Sequence, residues 1–476
     1  MPISFELFLS VFTVATIVVY LAILVEISKV NVKSWYPLIF HLLVFTFAVS
    51  TLLSGRILTS EMSALFSEAQ DTSSSGAVVW INRLITISIL AISIERIFRF
   101  ILVSSSRVTS NGYLFWTFIA FAVCNVFLNG AFGTHPNFSH RAIYPIFAML
   151  AAFFVAKTDV ETVITNVKVS LFIFLLLSAI VCLLKPTLAL QTNYIGIIPG
   201  FHYRYWGLSA HANSMGPMVI AFLLCLWFVP FKTVSINKFA WVLGVLSLLI
   251  TQSKTSFSIG LVCIAIVAFT WIKTSSSEDV KQRNANFVYL VLSLFLMALL
   301  ILSALLIFTD VDRTINVFLG SKQGAELLSL TGRDRIWEIA INEWHHNIWF
   351  GYGPSMWDVE YRTQIGMNYA FHAHNQFYQS LGNAGLLGVS TLIMYVAALV
   401  VAGVKSAKAS KGLSLAFVAL LIIESITEVP LSLNDLLGHD FFIHLLTYMI
   451  CAGYAEQINV EGVKTSEQSI LKKFER

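Results

Sequence analysis

Leu7 to Val25 reads LFLSVFTVATIVVYLAILV, nineteen residues without a charge between Glu6 and Glu26. A helix rises about 1.5 Å per residue, so this run nearly covers the ~30 Å of bilayer hydrocarbon. No basic segment precedes it and no small-residue cleavage site follows it, so it is expected to remain as a membrane helix rather than leave as a signal. Similar runs recur along the whole chain. Of its 476 residues, 57% are hydrophobic and 12% are charged, where a soluble domain carries about 25% charged residues. Lipid offers the backbone no hydrogen-bond partners, so only helices and closed barrels span it, and these runs are too long for barrel strands. The expected fold is an all-α polytopic membrane protein.

Charged and turn-rich breaks mark about twelve or thirteen spans. They fall near 5–27, 37–59, 77–95, 113–132, 141–156, 168–184, 213–230, 239–253, 256–272, 286–309, 376–404, 412–428 and 439–456, the fifth being short. Taking alternate loops as cytoplasmic gathers 19 of the 30 Lys and Arg on one side, which puts the carboxyl terminus inside and the longest loop outside. The chain then divides into a transmembrane bundle over 1–309, an outer loop over 310–375, closing helices over 376–456 and a cytoplasmic tail over 457–476. The formal charge of +4 comes from scattered basic residues, which argues against nucleic-acid binding. Cys124, Cys182, Cys225, Cys263 and Cys451 lie in or beside apolar runs without disulfide or zinc spacing, as packing residues do.

The outer loop is the one long polar stretch. Thr331-Gly332-Arg333-Asp334 resembles a capping box, and Trp337, Ala340, Ile341, Trp344 and Ile348 follow at helical spacing. An amphipathic helix is expected there, closed by Gly351-Tyr352-Gly353-Pro354. Long ordered loops are uncommon unless they carry function.

Three outward-facing clusters carry candidate chemistry: Tyr203 to Asn213 with Arg204 and His211, then Gln252-Ser253-Lys254-Thr255-Ser256, then the long loop with Arg333 and Arg335 at one end and His372-Ala373-His374-Asn375 at the other. Lipid headgroups explain any single cation. Together, Arg204, Lys254 and Arg333 suit a pyrophosphate whose lipid tail stays in the membrane, since arginine's planar fork matches phosphate oxygens. A neutral imidazole near pH 7 can take a proton from an attacking hydroxyl, and it can equally be a packed structural group. His-x-His can ligate a metal, but neither a carboxylate nor a cysteine stands at a recognisable partnering distance, so no metal and no cofactor are expected. Asp310-Val311-Asp312 reads as a solvated helix end. There is no Gly-rich phosphate loop and no nucleophile elbow.

His374-Asn375, nine residues, then Gly385-Leu386-Leu387-Gly388 resembles the His-Asn-x9-Gly-x-x-Gly signature of the O-antigen ligase and polymerase superfamily of bacterial envelope enzymes. Thr331, Gly332, Arg333 and Trp337, the Gly-Tyr-Gly turn, and the series Arg204, Gly207, His211, Asn213 and Gly216 resemble the same family. The resemblance implies a GT-C-like fold in the bacterial inner membrane with a periplasmic site. It also implies a metal-independent inverting glycosyltransferase whose donor is a glycan on undecaprenyl diphosphate. His374 would be the base and Arg333 would act with it, while Arg204, Lys254, Arg335, His211, His372 and Asn375 would contact substrate. The partners implied are the lipid-linked donor, a glycan or lipid A core acceptor, membrane lipids and a chain-length regulator. Gln252-Ser253-Lys254-Thr255 is more similar to exopolysaccharide polymerases than to ligases, which commonly have arginine there, so polymerisation of repeat units is expected ahead of ligation to lipid A core. A transporter of lipid-linked sugars would instead call for midplane charges and repeated broken helices. A non-catalytic envelope partner would not require the His-Asn and Arg motifs.

Overall fold

The computed structural model describes residues 34–58, 76–103, 112–155, 157–194, 201–274, 333–368 and 370–454. The expected spans at 5–27 and 286–309, the aspartates Asp310 and Asp312, and the Thr331-Gly332 part of the capping box lie outside the described residues.

The described residues are mostly helical, as the composition demands. In order it forms α1 (Leu38–Leu53), α2 (Gly76–Val103), α3 (Gly112–Phe132), α4 (Ile143–Phe153) and α5 (Lys157–Leu184). A two-stranded ribbon follows, β1 (Leu190–Thr192) and β2 (Tyr203–Tyr205), and then α6 (Ala212–Phe228), α7 (Val234–Thr251) and α8 (Lys254–Thr274). The last part holds α9 (Arg333–His346), α10 (Val359–Gln364), α11 (Gln376–Ser406), α12 (Leu413–Thr427) and α13 over 439–454. Among the described residues, five helices are long and apolar enough to cross a membrane: α3, α5, α7, α8 and α11. Trp116, Leu183, Leu184 and Phe269 stand more than half exposed on the outside of the bundle, where lipid tails would replace water as their solvent.

Two helices depart from expectation for local reasons. The span expected at 77–95 runs on to Val103 because its charges are matched. Arg99 donates to Glu95 one turn earlier at 2.8 Å, and Arg96 reaches the Phe154 carbonyl at 2.9 Å and Asp159 at 3.8 Å. In α9 the buried side chains are Ile336 and, from the expected stripe, Ala340, while Trp337, Ile341 and Trp344 are partly buried. Trp337 stays half exposed because its indole N–H donates to the Ala373 carbonyl at 2.9 Å and its ring stacks on Tyr378 at 4.8 Å. Ile348 lies past the helix end and is exposed.

The element that positions everything else is α11. Gly385, at φ +62°, breaks it. Around the break, Tyr352 and Gly353 donate to the carbonyls of Gly382 and Asn383 at 2.8 and 3.0 Å, and Leu386 donates to Ile348 at 2.9 Å. A Cβ on Gly385 would come within 2.5 Å of the Trp349 backbone, so only glycine permits this approach. The other side of the Gly-Tyr-Gly strip receives Thr134 and His135, which follow α3. The segment between α9 and α11 is thereby fixed to α3 and α11 by backbone bonds.

Candidate active site

The loop before α6 is organised by a residue that sequence reasoning missed. Arg56, 6% exposed, donates to the carbonyls of Leu188 (2.9 Å), Ser209 (2.5 Å), Ala210 (3.2 Å) and Gly207 (2.7 Å), and lies over the Trp206 ring. It ties the end of α1 to the segment that delivers Arg204 and His211. No sequence spacing links residue 56 to residues 188–210.

His211 caps α6, its Nδ1 accepting from the Asn213 N–H at 3.1 Å. Burial first, and the charge of Arg204 second, push its imidazole down to about 3, so it is neutral near pH 7. Asn213 then bridges two charges. Its Oδ1 accepts from Arg204 Nη2 at 2.6 Å and its Nδ2 donates to Glu428 Oε1 at 2.8 Å. Arg204 sits in β2, lies over Tyr194 at 4.7 Å and donates from Nε to the Thr251 carbonyl at 3.3 Å. That carbonyl is three residues before Lys254, the exposed first residue of α8. Gly216 lets α6 and α8 approach, since a Cβ there would fall 1.9 Å from Ser256 Oγ.

Glu428, at the end of α12, is the second missed residue and the hub of the site. Its Oε2 meets His374 Nδ1 at 3.0 Å and His372 Nε2 at 3.7 Å, while Arg333 Nη2 stands 3.7 Å from Oε1. Burial alone would raise its carboxyl, but the His374 hydrogen bond, with His372 and Arg333 nearby, holds it well below the usual range. An ionised carboxylate accepts only, so Nδ1 of His374 donates to it, and in the neutral ring Nε2 is then the nitrogen with a lone pair. His374 is held there by strained backbone at φ +47°. The preceding peptide is pinned by Gln379, whose Oε1 accepts from Ala373 N at 2.8 Å.

The expectation that no carboxylate partners the histidines is corrected here. Glu428 lies 54 residues from His374, too far along the chain for any motif. Ligand atoms of His372, His374 and Glu428 lie within 4.8 Å of one another, close enough to consider a cation. The bonding is adverse to one. His372 Nδ1 already accepts from the His374 N–H at 3.1 Å, so its proton is on Nε2, the atom that faces Glu428. Ligation through Nε2 would move that proton to Nδ1, against a backbone donor. Burial, aided by the neighbouring His374, pushes the His372 imidazole down to about 3.

The structure thus brings together Arg204, His211, Arg333, His372 and His374, with Lys254 at their edge. Asn375 has a structural occupation: its Oδ1 caps α11 through Phe377 and Tyr378, and its Nδ2 donates to the Ile426 carbonyl at 3.1 Å. Arg335 is exposed, two residues beyond Arg333 and so about 200° around the helix from it.

Residues 239–393 match the family described as O-antigen ligase. The match runs from α7 into α11, so it contains Lys254, Arg333, His372, His374 and Asn375 and leaves out Arg204, Asn213 and Glu428. No curated protein matches the chain. The activity this supports is that of an O-antigen ligase or polymerase type of glycosyltransferase in general, with a lipid-linked glycan donor and a glycan acceptor.

Proposed function

We propose, from the premise that this membrane protein belongs with the O-antigen ligase and polymerase superfamily, that it is a metal-independent inverting glycosyltransferase of the bacterial inner membrane. Working at the periplasmic face, it polymerises repeat units carried on undecaprenyl diphosphate. The observation that carries the reading is His374: its Nδ1 is held by an ionised glutamate, its Nε2 is left as a base, and Arg333 stands beside the same carboxylate.

In the reaction, an acceptor hydroxyl oxygen attacks the anomeric carbon while its proton passes to His374 Nε2. The bond from that carbon to the diphosphate oxygen breaks, and the electron pair leaves with the diphosphate. Glu428 stabilises the imidazolium that forms. Arg333, Arg204 and Lys254 offset the charge on the leaving group. The Gln252-Ser253-Lys254-Thr255 stretch, similar to exopolysaccharide polymerases, favours polymerisation over transfer to lipid A core. The test gives purified protein its lipid-linked repeats with and without added core. A product ladder from repeats alone is expected, and transfer only to core would make the protein a ligase.

A further inference from the structure

His372 also lines a cavity of about 350 Å³ whose other walls come from the segment around α10, from α11 and from the turn between α12 and α13. Its chemistry is unlike that of the cationic cluster beside it. Asp358, Asp435 and Asp440 supply carboxyl groups, Asn383 and Asn434 supply amides, and Trp357 supplies an aromatic side chain. Among the described residues, no lysine or arginine lines it. Arg362 stays in the wall, stacked on Phe371 at 4.0 Å and donating to the Asp358 and Asn368 carbonyls.

Trp357 lines the cavity with the 7% of its surface that is exposed. Carboxylates and amides match the donor-acceptor pairs of vicinal hydroxyls, and an indole face suits the C–H side of a pyranose ring. The volume falls in the range of small-ligand sites, roughly 300–1,000 Å³. The carboxylates of Asp358 and Asp435 repel a second anion at the cavity.

We propose that this cavity is the acceptor subsite, holding an uncharged or amino-bearing terminal sugar beside His374 and excluding uronic or phosphorylated ones. The inference rests on His374 as base. It deepens that reading by giving the acceptor a chemical class that a phosphorylated core does not fit.

The test is saturation-transfer NMR on the full-length protein in detergent, without donor, using methyl glucoside, methyl glucosaminide and methyl glucuronide. Saturable binding of the first two is expected, at least about fivefold stronger than the glucuronide, a difference near 1 kcal/mol. In the double variant Asp358→Asn/Asp435→Asn, each amide oxygen can still accept the backbone N–H that the aspartate holds, from Tyr361 or Leu437. Glucuronide binding by this variant should rise about fivefold as the repulsion falls. Equal binding of all three glycosides by the parent protein, an unchanged glucuronide signal in the variant, or no saturable binding would each overturn the proposal. The catalytic reading fails separately: a His374→Ala protein that still transfers glycan refutes the base, whatever the glycosides do.

Discussion

Arg56 and Arg333 are two arginines at the same end of the bundle with opposite fates. Arg56 is buried, and its guanidinium is matched by neutral backbone carbonyls from four residues. Arg333 opens α9 with its side chain 20% exposed, and its ion pair is with Glu428 at 3.7 Å, longer than a hydrogen bond. The first holds a loop together. The second has reach left over for another anion. Residue type and sequence neighbourhood do not separate these roles; the chemistry of the partner does.

The largest effect tests the cluster itself. His374→Ala should lower transfer by about 10²–10⁴-fold, the usual contribution of a general base, while membrane insertion and folding stay intact. Near-normal turnover by that variant would remove His374 from catalysis.

Arg56→Ala should act through stability instead. It leaves buried carbonyls unpaired at about 1–3 kcal/mol each, so the unfolding midpoint and the folded yield should fall together. A well-folded but inactive Arg56→Ala protein would erase the contrast with Arg333.

Arg333→Ala should weaken donor use strongly, with Arg333→Lys restoring only part, because lysine keeps the charge and loses the fork. Full activity in the lysine variant, measured as kcat/KM for the lipid-linked donor, would mean that Arg333 contributes a diffuse field only.

A smaller effect concerns pH. His211 and His372 are held neutral, both down to about 3, whereas an unfolded histidine titrates near 6.5. Between those values the unfolded chain binds protons that the folded one refuses, so stability falls as pH drops from about 6.5 toward 3. Each imidazole should cost on the order of 1 kcal/mol by pH 5.5. His372→Gln keeps an acceptor for the His374 N–H and should flatten the decline in unfolding midpoint between pH 7 and pH 5.5. An unchanged slope would show that His372 titrates normally.

The smallest expected effect is none: excess chelator should leave transfer intact, and replacing Asp310 and Asp312 with Asn should be tolerated. Loss of activity with metal-specific rescue would mean that His372, His374 and Glu428 hold an ion after all.

Sequence alone determined the solvent and the secondary structure, because lipid forces any long apolar run to satisfy its own backbone as a helix. It also marked His374, Arg333, Arg204 and His211, whose short-range spacings survive as caps and turns, and Gly385, which breaks α11 where the Gly-Tyr-Gly strip docks. What it did not contain was Glu428, Asn213 as the bridge between Arg204 and that carboxylate, or Arg56 as the clamp. Nor did it show which face of α9 would be buried. Those depend on which helix ends meet, over separations of 54, 215 and more than 130 residues. Hydrogen bonds and ion pairs act over a few ångströms of space, and only the packed bundle sets which distant residues come that close.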